Sequence, residues 1–268
     1  MNPLYWLELR IRVREKRLWL IALFFVGTLM VVSAVVLSSS LITSSFTEVS
    51  PSSIGAGMAW ATLFCQAGLL AILAPLATAC RISQEREQRT LPALVNSPLP
   101  ALRVALGKLW GSWTFVAWLG ALAIPFLAVA ALWGGPPLWL VLACVAINLL
   151  GGFALSAMAL GFSGLFGRSL TAYLATGSFL FGWIAVAPLL GSLARVLHRS
   201  GGARFGEFIG YATLYHNPFY PLIAIAGGDW QLRAAENAAH LAYCLAVWVL
   251  VAALGAGLAA RSLKREVF

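Results

Sequence analysis

Residues 82–108 read Ile-Ser-Gln-Glu-Arg-Glu-Gln-Arg-Thr-Leu-Pro-Ala-Leu-Val-Asn-Ser-Pro-Leu-Pro-Ala-Leu-Arg-Val-Ala-Leu-Gly-Lys. This is the longest charged stretch between two apolar runs in a chain that is otherwise almost all apolar. It follows one apolar segment and leads straight into the next. Long apolar runs joined by short polar ones read as an all-α polytopic membrane protein. Polar surface is so scarce that this stretch is the natural place for a soluble partner to hold.

The composition agrees. The 268 residues are 61 % hydrophobic and 10 % charged, with a mean hydropathy of +0.87. Soluble domains carry about 25 % charged residues, so side chains this apolar need lipid as their solvent. Net charge is +9, from 18 basic against 9 acidic residues. In a soluble protein that excess would suggest nucleic acid; here it reports the basic bias of cytoplasmic loops, and no nucleic-acid partner is expected. The basic start, Arg10 to Arg17, resembles a signal-peptide n-region, but the apolar run after it is too long for an h-region. The first span is therefore expected to stay as an anchor. Cys65, Cys80, Cys144 and Cys244 lie in or beside apolar segments at spacings that fit neither zinc nor a disulfide framework. They read as small buried hydrophobes.

Six segments meet the roughly 20 residues a span needs: about 18–37, 56–79, 109–133, 138–165, 170–197 and 238–260. Pro75, Pro125 and Pro188 fall inside spans and should kink them. With the N-terminus inside, the inner regions hold Arg10, Arg12, Arg14, Lys16 and Arg17, then Arg81, Arg86, Arg89, Arg103 and Lys108. Arg168 and then Arg261, Lys264 and Arg265 complete the set, fourteen of the 18 basic residues. Only Arg195, Arg199, Arg204 and Arg233 fall outside. Both termini are expected on the cytoplasmic side of the inner membrane.

The connections differ in kind. Gly134-Gly135-Pro136-Pro137 reads as a tight external turn, and the Ser/Thr-rich residues 40–55 as an external loop. The connection 198–237 is long, and its apolar middle is interrupted by Asn217-Pro218 and Pro221. Two short re-entrant helices before the last span fit it, as does a loop lying on the membrane surface. Residues 1–17, with Tyr5, Trp6 and a basic run, suit an N-terminal interfacial helix, although the alternation from Arg10 to Arg14 would also suit a strand.

Several chemistries lack their residues. Gly107-Lys108 is followed by Leu109 and preceded by Leu102 where a phosphate-binding loop needs Gly, so no ATP site or other cofactor site is expected in this chain. Gly161-Phe162-Ser163-Gly164 is not a nucleophile elbow, because its second glycine comes one residue early. His198, His216 and His240 lack carboxylate companions at ligand spacing. No span carries a central Asp, Glu, Lys or Arg, which argues against ion-driven transport. Gln66 and Asn148 read as helix–helix hydrogen bonds.

Within 82–108, Glu85 and Arg89 stand at i and i+4, and Leu91, Leu94 and Val95 add apolar residues at helical spacing. A short amphipathic helix along the inner surface fits, as does a plain solvated charge run. Ser97 could cap a new helix with Pro98 at its first position, carrying Arg103 and Lys108 up to the third span.

The run from Glu85 to Leu99, followed by Gly107-Lys108-Leu109, resembles the signature of ABC-2 type transporter permeases. In that family an acidic–basic cluster leads to Gly-Thr-Leu-Glu, an apolar run, Ser/Thr-Pro-Leu, and Gly-Lys at the start of the third span. Glu85, Thr90, Leu91, Pro98, Leu99, Gly107 and Lys108 match; Arg89 replaces the usual Gly and Pro92 the usual Glu. The motif covers roughly a tenth of the chain, and the topology extends the likeness. The resemblance implies one transmembrane domain over 1–268, working as a homo- or heterodimer of permease subunits in the lipid bilayer. It implies that each subunit docks an ATP-binding cassette ATPase through a coupling helix at 82–96, with ATP and Mg bound by that partner. The contact would fall on Gln84, Glu85, Arg86, Glu87, Arg89, Thr90, Leu91, Leu94 and Val95, and export would follow from ATP-driven closure. The alternatives are an ATP-independent channel, carrier or membrane assembly factor, or a membrane-embedded enzyme. The last has only Tyr215-His216-Asn217 with Glu207 and Asp229 to offer, a group that reads better as an interfacial turn.

Overall fold

The computed structural model describes residues 5, 6, 10, 16–44, 50–91, 100–199, 217, 219–226 and 234–265, and they contain no strand. In chain order the helices are α1 (Lys16–Ser44), α2 (Pro51–Leu76), the short α3 (Arg81–Glu87), α4 (Ala101–Ala121), α5 (Ile124–Leu132) and α6 (Leu138–Leu165). Then come α7 (Ser169–Phe181), a π turn (Gly182–Val186), α8 (Ala187–Arg199), the short α9 (Tyr220–Ala226) and α10 (Ala234–Arg265). Six helical runs are long and apolar enough to cross a membrane: α1, α2 continuing into α3, α4 with α5, α6, α7 into α8, and α10. All-α architecture with six spans is what the sequence predicts.

α6 is the axis of the bundle. It packs against α2, α4 and α7, and most extensively against α10. Small residues permit this: a Cβ on Gly161 would stand 2.9 Å from the Gly255 carbonyl oxygen, and one on Gly255 would strike the Ala157 carbonyl. Backbones approach this closely in membranes only where side chains are absent. The main core joins Phe25 and Leu29 of α1, Leu63 and Leu70 of α2, Val116 and Leu119 of α4, and Trp248 of α10. A second apolar cluster fills one end of the bundle, where Ile82 and Leu91 meet Val104, Leu109, Leu160 and Leu263. The outer faces, such as Leu20, Leu23 and Phe24 on α1, remain apolar and exposed, as a lipid-facing surface requires.

α6 has the expected boundaries, with Pro137 standing before its first residue. The expected loop over 40–55 is helix at 40–44 and at 51–55 instead, and residues 45–49 lie outside the described residues. α1 runs on to Ser44, and Ser38, Ser39, Ser40 and Thr43 satisfy their hydroxyls within it, on carbonyls three or four residues earlier. Ser50 then caps α2, accepting from the Ser53 N–H at 3.3 Å, with Pro51 at the first helical position.

The prolines act differently from one another. Pro75 lies in the last turn of α2, which gives way after Leu76 to hydrogen-bonded turns at 77–80 that lead into α3. Pro125 offers no N–H, and the third span breaks between Ala121 and Ile124. Gln66 Nε2 donates to the Gly120 carbonyl beside that break at 3.0 Å, and Asn148 Nδ2 donates to Gln66 Oε1 and to the Leu63 carbonyl, both at 3.2 Å. Both residues thus make the helix–helix bonds expected of them. Ahead of Pro188 the fifth span loosens into the π turn.

Of the connection 198–237, the described part includes α9, whose Leu222 and Ile225 enter the main core. Most of the interfacial segment 1–17 lies outside the described residues, but the Tyr5 hydroxyl stands 3.1 Å from Thr114 Oγ1 on α4.

Candidate functional site

α3 is only seven residues long and carries Arg81, Glu85, Arg86 and Glu87. A helix this short does not persist by itself. Neighbouring helices hold it along most of its length. Cys80 at its N-cap makes no side-chain cap bond; the cap comes from α6, where Ser163 Oγ accepts the Ile82 and Ser83 N–H groups at 2.9 and 3.1 Å. Those are two of the orphan donors that open any helix.

Arg86 and Glu87 serve two other helix ends. The Arg86 guanidinium donates to the Phe166 carbonyl at 2.9 Å and to the Gly164 carbonyl at 3.2 Å, covering the C-terminus of α6. Glu87 accepts from the Ser169 N–H at 2.8 Å and the Ser169 hydroxyl at 2.7 Å, at the first residue of α7. A cation at a C-terminus and an anion at an N-terminus both oppose the helix dipole favourably. Glu85 turns the other way and forms an ion pair with Lys108 of α4. Lys108 is 1 % exposed and Glu85 26 %, so the ammonium is buried while the carboxylate keeps some contact with the surface.

The end of α3 is equally defined. Thr90 N–H returns to the Glu85 carbonyl at 2.9 Å and Arg89 N–H to the Arg86 carbonyl at 3.1 Å, with Arg89 in the left-handed region at φ 57°. This is the Schellman ending, in which Gly is the usual residue. Leu91 follows, buried in the end cluster.

α3 is thus bound to the ends of α4, α6 and α7, and one edge is left at the surface: Gln84, Gln88, Arg89 and Thr90 are exposed. Of the residues singled out in the sequence, Gln84, Arg89 and Thr90 stand on this edge, Glu87 reaches Ser169, Glu85 and Arg86 face neighbouring helices, and Leu91 points inward. Leu94 and Val95 lie outside the described residues, as do Ser97 and Pro98. Two expectations are corrected. Glu85 and Arg89 do not pair along one helix, because α3 stops at Glu87 and Glu85 goes to Lys108. The third-span helix opens at Ala101 behind Pro100, not at Pro98.

Ser163 and Ser169 carry no signal in the sequence, since each acts on a segment some 80 residues away. Lys108 did carry one, as the last motif residue, but nothing in the spacing named its partner.

The same end of the bundle collects the basic residues. Lys16 lines a cavity with Arg81, Arg168 precedes α7 beside Glu87, and Leu263 packs with Ile82. The start of α1 and the end of α10 therefore share an end with α3. Among the described residues no group of His, Cys, Asp and Glu could hold a metal ion.

A multi-pass helical bundle, apolar on its outside and with a short helix clamped across one end, defines an integral membrane protein. Residues 2–266 match the model of the ABC-2 family of transporter proteins, and the chain belongs to that family. Permeases of this family are membrane-embedded transport subunits, not ATPases themselves, and generally work with an ATPase subunit. No curated protein matches the chain.

Proposed function

We propose that this chain is the permease half of an ABC exporter, a gate driven by ATP hydrolysis in a separate cassette subunit that docks on α3. ATP and Mg belong to that partner. Two permease subunits, identical or not, enclose the pathway, and both termini face the cytoplasm. The described part of 198–237, with α9 sunk in the core, supports a re-entrant arrangement on the opposite side.

One observation carries the reading. α3 is fastened to the ends of three spans through Ser163, Arg86, Glu87 and Glu85, while its edge at Gln84, Gln88, Arg89 and Thr90 stays free of those duties. A push on that edge is delivered to α4, α6 and α7 together. A useful push must bias a two-state element by several kcal/mol, and a rigid clamp passes on force that a loose loop would absorb.

The test uses the whole permease with its cognate cassette protein. Gln88→Glu combined with Arg89→Glu changes only exposed side chains, so the fold should survive while co-purification of the ATPase is lost. A thiol introduced at Gln88 should resist an impermeant reagent in intact cells and react once the cells are opened. Co-purification unchanged in the double variant overturns the docking surface; labelling in intact cells overturns the orientation.

A further inference from the structure

At the α3 end of the bundle a cavity of about 740 Å³ opens between α1, the last turn of α2, α3 and α7. That volume lies within the roughly 300–1,000 Å³ of small-molecule sites. Its wall has two characters. Leu18 and Ile21 of α1, with Leu73 and Leu76 of α2, make an apolar slot. Lys16, Arg81, Gln84 and Tyr173 supply the polar part, with no carboxylate among the described residues that line it.

The order of these residues along the chain sets their depth. Lys16 stands just before the apolar run that starts at Leu18, and Arg81 opens α3 just beyond the end of α2. Both cations therefore sit where hydrocarbon gives way to headgroups, and Leu18, Ile21 and Leu73 lie deeper. Two of the polar groups are fixed in place. Arg81 Nε donates to the Ala77 carbonyl at 3.3 Å, and the Tyr173 hydroxyl lies 3.1 Å from Cys80 Sγ.

We propose that this cavity binds a glycerophospholipid with an anionic headgroup from the adjoining leaflet. Its phosphate meets Lys16 and Arg81, Tyr173 and Gln84 offer further hydrogen bonds, and an acyl chain lies along Leu18, Ile21 and Leu73. Interfacial cations attract anionic lipid in just such positions. A soluble phosphate would leave the apolar slot empty. A zwitterionic headgroup would bring a second cation to a site with no acid to receive it. The site does not depend on α3 docking a partner.

The full-length protein in mild detergent, titrated with phosphatidylglycerol and followed by native mass spectrometry, tests the assignment. Phosphatidylglycerol should bind at least tenfold more tightly than phosphatidylcholine. Lys16→Gln with Arg81→Gln should weaken it roughly 30-fold, the loss expected for two interfacial cations. Ile21→Trp should abolish binding by filling the slot while both cations remain. Lys264→Gln, an exposed cation outside the cavity, should change nothing. Unchanged affinity in the double variant and in Ile21→Trp overturns the site. Equal binding of phosphatidylcholine overturns its charge selectivity. Glycerol 3-phosphate binding as tightly as the lipid would make it a soluble-anion site, and the proposal would fall.

Discussion

Two helix ends in this protein close in the same way with different residues. α5 ends on Gly134 at φ 78°, with Gly135 N–H reaching the Ala130 carbonyl at 3.1 Å and Gly134 N–H the Ala131 carbonyl at 3.0 Å. α3 ends on Arg89 with the same pair of bonds. A Cβ in that conformation crowds the following carbonyl and costs about 1 kcal/mol, which glycine avoids. The backbone has kept a glycine's shape where the family pattern has Gly and this sequence has Arg. Arg89→Gly is therefore expected to stabilise the protein by about 1 kcal/mol, and Arg89→Val to destabilise it, as read from unfolding midpoints in detergent. An Arg retained against that strain on an exposed edge fits a side chain kept for its surface role. The sequence allowed the departure at Arg89 to be noticed, but the local pattern suggested an i, i+4 partner for Glu85. Spacing along one helix could not show that Lys108, 23 residues on, would be nearer.

At the scale of elements, legibility followed the distance over which each helix is decided. α6 was read to the residue because its signals are local: a proline turn before it and a continuous apolar run within it. α1 extends past the expected end at Leu37 because the serines that follow look polar in a sequence but satisfy their hydroxyls within the helix. The helix expected over 82–96 opens within a residue of that bound, at Arg81, where Ser163 on another span accepts its first N–H groups, but it ends early, at Glu87. Removing that one hydroxyl isolates the effect. Ser163→Ala leaves the Ile82 and Ser83 amides without an acceptor, at a cost of about 1–2 kcal/mol, comparable to losing an N-cap. Hydrogen exchange at Ile82 and Ser83 should accelerate roughly tenfold, since each 1.4 kcal/mol is a factor of ten. Amides in the middle of α6 should keep their protection. If α3 is held by its apolar contacts alone, exchange there will not change.

For the whole molecule, the α6–α10 crossing is what makes separate spans into one body, and it also forms the floor on which α3 rests. Ala157 and Leu160 of α6 and Ala259 and Leu263 of α10 share the end cluster with Ile82. Glycine spacing in the sequence could not pick out this crossing, because such pairs recur throughout the chain and only the packed structure tells which of them face one another. Gly255 offers a test with its own control two residues away. A methyl group at 255 would strike the Ala157 carbonyl and the Met158 amide, which are backbone atoms with no rotamer to change. α10 would have to move outward, with about 1–3 kcal/mol lost to overpacking. At Gly257 nothing stands within 4 Å of an added Cβ, and alanine there gains helix propensity. Gly255→Ala should therefore lower the unfolding midpoint, whereas Gly257→Ala should leave it unchanged or raise it. The end cluster joins the crossing to α3, so Gly255→Ala should also speed exchange at Ile82, a site that residue 255 does not touch. Destabilisation without that remote change would mean that α3 does not rest on the crossing, and that the clamp takes its rigidity from its polar bonds alone.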